Sequence, residues 1–198
     1  MKRLAWALIV VCLAAAIVWL WLKRGMHGFS ALQEPSAVEA MLAASARSVA
    51  MPADAKRLQN PVPSSPQVLA EGLAHWADHC AICHANDGKG DTEMGRHLYP
   101  RAPDMRSDTT QQKSDGELYY VIENGIRLSG MPGWHVEGHE VDSWKLVHFV
   151  RHLPQLTAEE RMEMEALNPK GPEERNEEKQ EEEFLNEGIT LPKHTDRH

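Results

Sequence analysis

Cys80-Ala81-Ile82-Cys83-His84 lies near the middle of a 198-residue chain and holds two of its three cysteines. The third, Cys12, falls inside an apolar N-terminal run. The chain therefore lacks the cysteines for a disulfide framework and the second pair that a four-cysteine zinc site needs. A lone C-x-x-C can also act as a redox dithiol, but here a histidine follows at once.

Two thiols three positions apart near the end of a helix can add across the two vinyl groups of one porphyrin, while the imidazole of the next residue reaches the iron. On that ground C-x-x-C-H reads as a c-type haem attachment site. The expectation is one covalent haem c held by Cys80 and Cys83, with His84 as proximal iron ligand.

Helical signals surround the motif. Ser65 as N-cap and Pro66 at the first helical position begin a helix that runs through Val68, Leu69, Leu73 and Trp76 toward Cys80. Ser114-Asp-Gly-Glu117 forms a capping box for a second helix, with Leu118, Val121 and Ile122 as its apolar stripe and Asn124-Gly125 as its stop. A third helix is expected from about Val141 to His152, before Pro154. No strand-like alternation separates them. Residues 85–113 read as one long connection rich in glycine and proline, which is reasonable only where something other than side chains fills the core beneath it.

Farther out, residues 4–22 form an uncharged, mostly apolar run between Lys2-Arg3 and Lys23-Arg24. As a helix these residues reach roughly 28 Å, close to the ~30 Å hydrocarbon thickness of a bilayer. Trp19 and Trp21 sit at its end, where amphipathic rings favour the interface. A cleaved signal peptide has a shorter apolar core, and the run continues past the small residues 14–16, so an uncleaved anchor is the expectation. Cys12 has no small-residue lipobox before it and reads as a membrane-buried side chain. The flanking charges are nearly balanced. Covalent haem attachment in bacteria belongs to the periplasmic face, which places the haem segment outside the cytoplasm. A Ser36-Ala-Val-Glu39 box and an Ala-rich helix interrupt an otherwise Pro-rich tether.

The formal net charge of -8 is uneven: residues 157–198 hold 13 acidic and 6 basic side chains, and the preceding residues 16 and 15. The folded part thus has no basic footprint for nucleic acid. Glu173, Glu174, Glu177, Glu178 and Glu181 to Glu183 mark a solvated acidic tail. The pair His194 and His198 follows Pro192 at the terminus and reads as tail.

Taken together, residues of about 67 to 156 resemble a class I monohaem c-type cytochrome: the haem motif at the end of a first helix, a looped middle, a methionine before a final helix, and Trp144 within that helix. Among relatives it is similar to are cytochrome c modules of bacterial respiratory chains, including those attached to haem-copper oxidases. The resemblance implies an all-α fold, a small cytochrome c fold around one covalently bound haem. The expected organisation is an anchor at 1–24, a linker at 25–66, the haem domain at 67–156 and an acidic extension at 157–198.

The sixth iron ligand is to be chosen among Met94, Met105, Met131 and the histidines. Met131 stands in Ser129-Gly-Met-Pro-Gly-Trp134, where Gly130 and Gly133 permit close approach and Pro132 stiffens the loop. Its place before the last helix matches the family's distal-ligand pattern. Met94 and Met105 read as gap-filling side chains. His97, His135 and His139 keep a bis-histidine centre open, whereas His75, His79, His148 and His152 read as packing or surface groups. Arg127, Trp134, Tyr99, Tyr120 and Arg101 are candidates to line the haem or bind its propionates, Arg127 foremost. Trp76 and Trp144 are expected where the first and last helices cross.

With His84 and Met131 filling both axial positions, no open site remains for a small-molecule substrate. The expected function is single-electron transfer, with respiratory redox proteins as partners and the membrane as support. An alternative is a haem subunit bound permanently in a terminal oxidase or membrane dehydrogenase. A haem sensor or peroxidase requires a distal position that empties.

Overall fold

A prolyl ring lacks a backbone donor and suits the first turn of a helix. Pro66 takes that place, and the Ser65 hydroxyl before it accepts from Val68 N at 3.2 Å. The computed structural model describes residues 2–25, 30–171, 176, 179 and 180, and among them every regular element is helical. In chain order these are α1 (Lys2–Gly25), α2 (Ala37–Ala50), α3 (Pro66–His75), α4 (Ala81–His84), α5 (Glu93–His97), α6 (Asp108–Gln111), α7 (Asp115–Asn124), α8 (Glu140–His152) and α9 (Ala158–Leu167). Between α3 and α4 runs a π turn, Trp76–Cys80, so the helix begun at Pro66 reaches His84 with one widened turn in its path.

The core forms where α3 crosses α8. Gly72 makes the crossing close: a Cβ there would meet the Lys145 carbonyl oxygen at 2.7 Å and Phe149 Cβ at 3.0 Å. Trp76, Phe149, Val147, Val150 and Leu153 are buried at this junction, with the rings of Trp76 and Phe149 5.8 Å apart. Trp144 belongs to the same buried cluster as Trp76, but its ring finds another partner. It stacks on Tyr119 of α7, ring centroids 4.0 Å apart and planes 6° apart. Periodicity put Trp144 on the inner face of α8, but not which neighbour it meets.

The Ser114 capping box closes in full, its hydroxyl accepting from Glu117 N and the Glu117 carboxylate accepting from Ser114 N. The start of α7 lies against the 3-10 turn Ala55–Arg57, where Gly116 leaves no room for a side chain beside the Ala55 carbonyl. Asn60 donates to the Trp144 carbonyl at 2.9 Å, and His148 Nε2 lies 2.7 Å from the Val62 carbonyl. Packing thus begins before residue 67. It also runs past 156: Met164 of α9 is fully buried in the core, and His152 Nε2 lies 2.7 Å from Glu160.

The connection 85–113 is less bare than its composition suggests. It holds α5, capped by the Thr92 side chain, and the single turn α6; elements of four or five residues are too short to carry a readable periodicity.

Helix α1 is long and apolar enough to cross a membrane, and the apolar side chains described along it are exposed. Helix α2 buries none of its residues. Its Glu39 accepts a hydrogen bond from the Tyr99 hydroxyl, and Glu34 pairs with Arg101 at 2.9 Å. Most of the Glu-rich tail, Glu173 to Glu183, and the pair His194 and His198 lie outside the described residues.

Candidate functional site

Cys80, His84 and Met131, which sequence separates by up to half the domain, line one cavity of about 790 Å³, its mouth included. Its walls are largely apolar, built from Leu118, Val121 and Ile122 of α7, Ile126 of the following loop, and Leu146 and Val150 of α8. The long connection contributes Pro103 and Met105.

The π turn and α4 position the haem motif. The Trp76 indole donates to the Ala85 carbonyl at 3.0 Å, and Gly90 N donates to the His84 carbonyl at 2.8 Å. Thr92 braces the same turn from behind, its hydroxyl donating to the Ile82 carbonyl at 2.8 Å and accepting from Gly95 N at 2.8 Å. Gly95 is needed there, since a Cβ would fall 2.2 Å from the Cys83 carbonyl oxygen. The ring of His84 packs 5.7 Å from that of Trp76. Burial lowers the His84 pKa, an effect the Pro103 carbonyl opposes. Its Nδ1 is buried and makes no well-formed hydrogen bond. The neutral imidazole is thereby favoured, which is the form that ligates a metal.

Cys80 and Cys83 form no disulfide. Burial, with the neighbouring Cys83 adding, pushes the Cys80 thiol up to about 12, and burial also raises Cys83. A redox dithiol or a thiolate metal site works through a lowered thiol pKa. The upward shifts of this pair run the other way, against a redox dithiol or thiolate site.

Met131 is delivered by a loop zipped onto the end of α7. Trp134 N donates to the Ile122 carbonyl at 3.0 Å and His135 N to the Glu123 carbonyl at 3.1 Å, while the Met131 carbonyl accepts from Ile126 N at 3.0 Å. Gly125 adopts φ +67°, and a Cβ there would meet Gly133 N at 2.5 Å. Gly130 packs against the Leu98 side chain, and Gly133 against the Glu123 carbonyl.

An apolar slot bearing an imidazole, a thioether and a neutral thiol of a C-x-x-C pair has the donor set and the shape for a covalent haem, and the residues present fit that group. Residues 67–150 match the family model described as "Cytochrome C oxidase, cbb3-type, subunit III". They form a c-type cytochrome domain. The domain is similar to the Cbb3-type cytochrome c oxidase subunit FixP of Rhizobium meliloti (strain 1021), 36% identical over 73 residues, which are 36% of this chain and 23% of that protein. It also resembles the Cbb3-type cytochrome c oxidase subunit FixPc of Rhizobium leguminosarum bv. viciae, 33% identical over 92 residues, or 46% of this chain and 30% of the relative. The chain thus spans between 23% and 30% of the length of the curated relatives it matches.

The other sequence candidates divide. Trp134 lines the cytochrome domain's cavity, with His79 against its ring at 5.4 Å. Tyr99, Tyr120, Arg101 and Arg127 do not line it. Tyr99 is drawn outward to Glu39, and Arg101 to Glu34, both from a segment that sequence reasoning treated as tether. Arg127 is exposed. Among alternative ligands, Met94 and His97 border a separate surface hollow with Ile82 and Glu93. His135 lies against Glu123, and His139 is 3.3 Å from Asp142. Met105 lines the cavity two residues beyond Pro103. His75 and His79 are ring neighbours 4.9 Å apart on α3 and the π turn. Sequence reasoning missed Pro103, Thr110, Lys113, Ile126 and Leu146 at the cavity. Only Lys113 carried a signal, as a cation directly before the Ser114 cap of the helix that walls the site.

Proposed function

We propose that this chain is a membrane-anchored carrier of single electrons. One haem c is bound by Cys80 and Cys83 through thioether links, with His84 and Met131 as axial ligands. The observation that supports this most is the convergence of Cys80, His84 and Met131 on one apolar cavity. When bound, the haem supplies a one-electron couple whose potential His/Met ligation sets higher than bis-histidine ligation does.

The chain's own residues then do three things. The thioether links from Cys80 and Cys83 fix the group covalently, so it does not dissociate. The loop from Gly125 to Trp134 holds the Met131 thioether with backbone hydrogen bonds, so oxidation and reduction require little rearrangement. The apolar walls keep water from the site, and Met131 occupying the distal position leaves no place for a substrate, which favours electron carriage over oxygen or peroxide chemistry.

Helix α1 is the anchor, with the cytochrome domain on the periplasmic side of a bacterial inner membrane. The intervening segment confines the domain near the membrane and raises its effective concentration at membrane-bound redox partners. The folded unit extends from about residue 55 to 168, wider than the segment 67–156.

A second reading is a haem subunit held permanently in an oxidase complex, which the printed names of the FixP relatives favour. Purification from membranes in mild detergent separates the two. A carrier elutes with haem in a one-to-one ratio and titrates with a single one-electron wave. A stoichiometric partner retained throughout assigns the chain to a complex, and a protein without covalent haem refutes both readings.

A further inference from the structure

Lys113 is the one Lys or Arg among the residues that line the cavity. No ion pair or side-chain hydrogen bond engages its ammonium among the described residues. The nearby Arg151 is committed elsewhere: its guanidinium pairs with Asp115 at 2.8 Å and donates to the Gln111 carbonyl at 2.6 Å, and it also donates to the Lys113 carbonyl. Those bonds, with Lys113 N donating to the Thr110 carbonyl at 3.1 Å, fix the Lys113 backbone at the cavity edge. Its exposed side chain stays free to turn to the mouth.

A haem brings two propionate carboxylates to a cavity whose walls are largely apolar. An anion at an apolar wall needs a charged partner or water. Arg127, the cation that sequence position favoured, stands exposed and off the cavity, and Arg101 and Arg106 are paired with Glu34 and Asp104 at 2.9 and 2.8 Å.

Resting on the haem reading above, we propose that the Lys113 ammonium is the ion-pair partner of a haem propionate and thereby helps set the reduction potential. A positive charge there disfavours the more positive ferric state. Removing it lowers the potential.

The test is potentiometric titration and resonance Raman spectroscopy of the haem-loaded full chain as wild type, Lys113→Met, Lys113→Arg and Arg127→Met. Lys113→Met is expected to shift the redox equilibrium constant several-fold toward the oxidised form, a tenfold change being about 59 mV for one electron, and to move the propionate bending band. Lys113→Arg keeps the wild-type potential, and Arg127→Met changes it little. Lys113 is exposed, so its substitution leaves the core intact. A normal c-type spectrum in Lys113→Met, with potential and propionate band both unchanged, overturns the assignment of Lys113 alone. A larger shift in Arg127→Met than in Lys113→Met also overturns it. Absence of covalent haem from the wild type refutes instead the reading on which it rests.

Discussion

His135 Nδ1 lies 2.5 Å from Oε2 of Glu123, an exposed imidazole against a carboxylate that is 7% exposed. The same two residues are joined through the backbone, His135 N to the Glu123 carbonyl at 3.1 Å. Glu123 belongs to the last turn of α7, and His135 closes the loop that carries Met131. The pair therefore pins the end of that loop to the helix that walls the cavity. The hydrogen bond to Glu123 is the main cause of a raised His135 pKa. Burial opposes it, and the charges of Glu123, Glu140 and Glu137 add to the rise.

A raised folded-state pKa gives a stabilising contribution that is complete below the ordinary histidine value of about 6.5 and fades as pH rises through the folded-state value. The difference in thermal midpoint between wild type and His135→Ala should therefore be full at pH values below about 6.5 and shrink as the pH is raised above it. Midpoints followed by circular dichroism on both sides of that value measure it. A difference that stays constant with pH refutes the role of the charged pair.

Gly72 gives a second expectation. The Lys145 carbonyl oxygen and Phe149 Cβ would lie 2.7 and 3.0 Å from a Cβ at this position, so Gly72→Ala forces α3 and α8 apart. A cost of about 1 to 3 kcal/mol follows from overpacking, and Gly72→Val should cost more. Denaturant unfolding checks this, with a neutral Gly72→Ala as the contrary result.

Met164 tests where the folded unit ends. It is fully buried although it lies beyond Thr157, where the chain turns acidic. Met164→Ala should destabilise the domain by about 2 to 5 kcal/mol, whereas a solvated helix would register almost nothing. Equal unfolding midpoints for variant and wild type would place α9 outside the cooperative unit.

Much of this was legible in the sequence because it rests on local chemistry. Ser65 with Pro66, the Ser114–Glu117 box and the Asn124-Gly125 stop each act within one turn, and the structure uses all three. The Cys80–His84 motif carries its chemistry in its spacing. What stayed hidden depends on partners far along the chain. Tyr99 turns to Glu39, 60 residues away. Trp144 meets Tyr119 where Trp76 was expected. The π turn at Trp76–Cys80 leaves no trace in periodicity over five residues. Glu123 is buried beneath His135, a contact that no local pattern around it announces. Thr157 opens α9 with a full capping box, a signal present in the sequence but masked by the acidity that follows.

Met131 as axial ligand is the point on which electron carriage, rather than ligand binding, depends. The direct measurement is carbon monoxide binding by the reduced, haem-loaded protein, wild type against Met131→Ala, with the reduction potential recorded for each. The wild type should leave its reduced spectrum unchanged under carbon monoxide. Met131→Ala should bind the gas readily and titrate at a lower potential. Rapid binding by the wild type, or a Met131→Ala protein that matches it in both spectrum and potential, would contradict ligation by Met131.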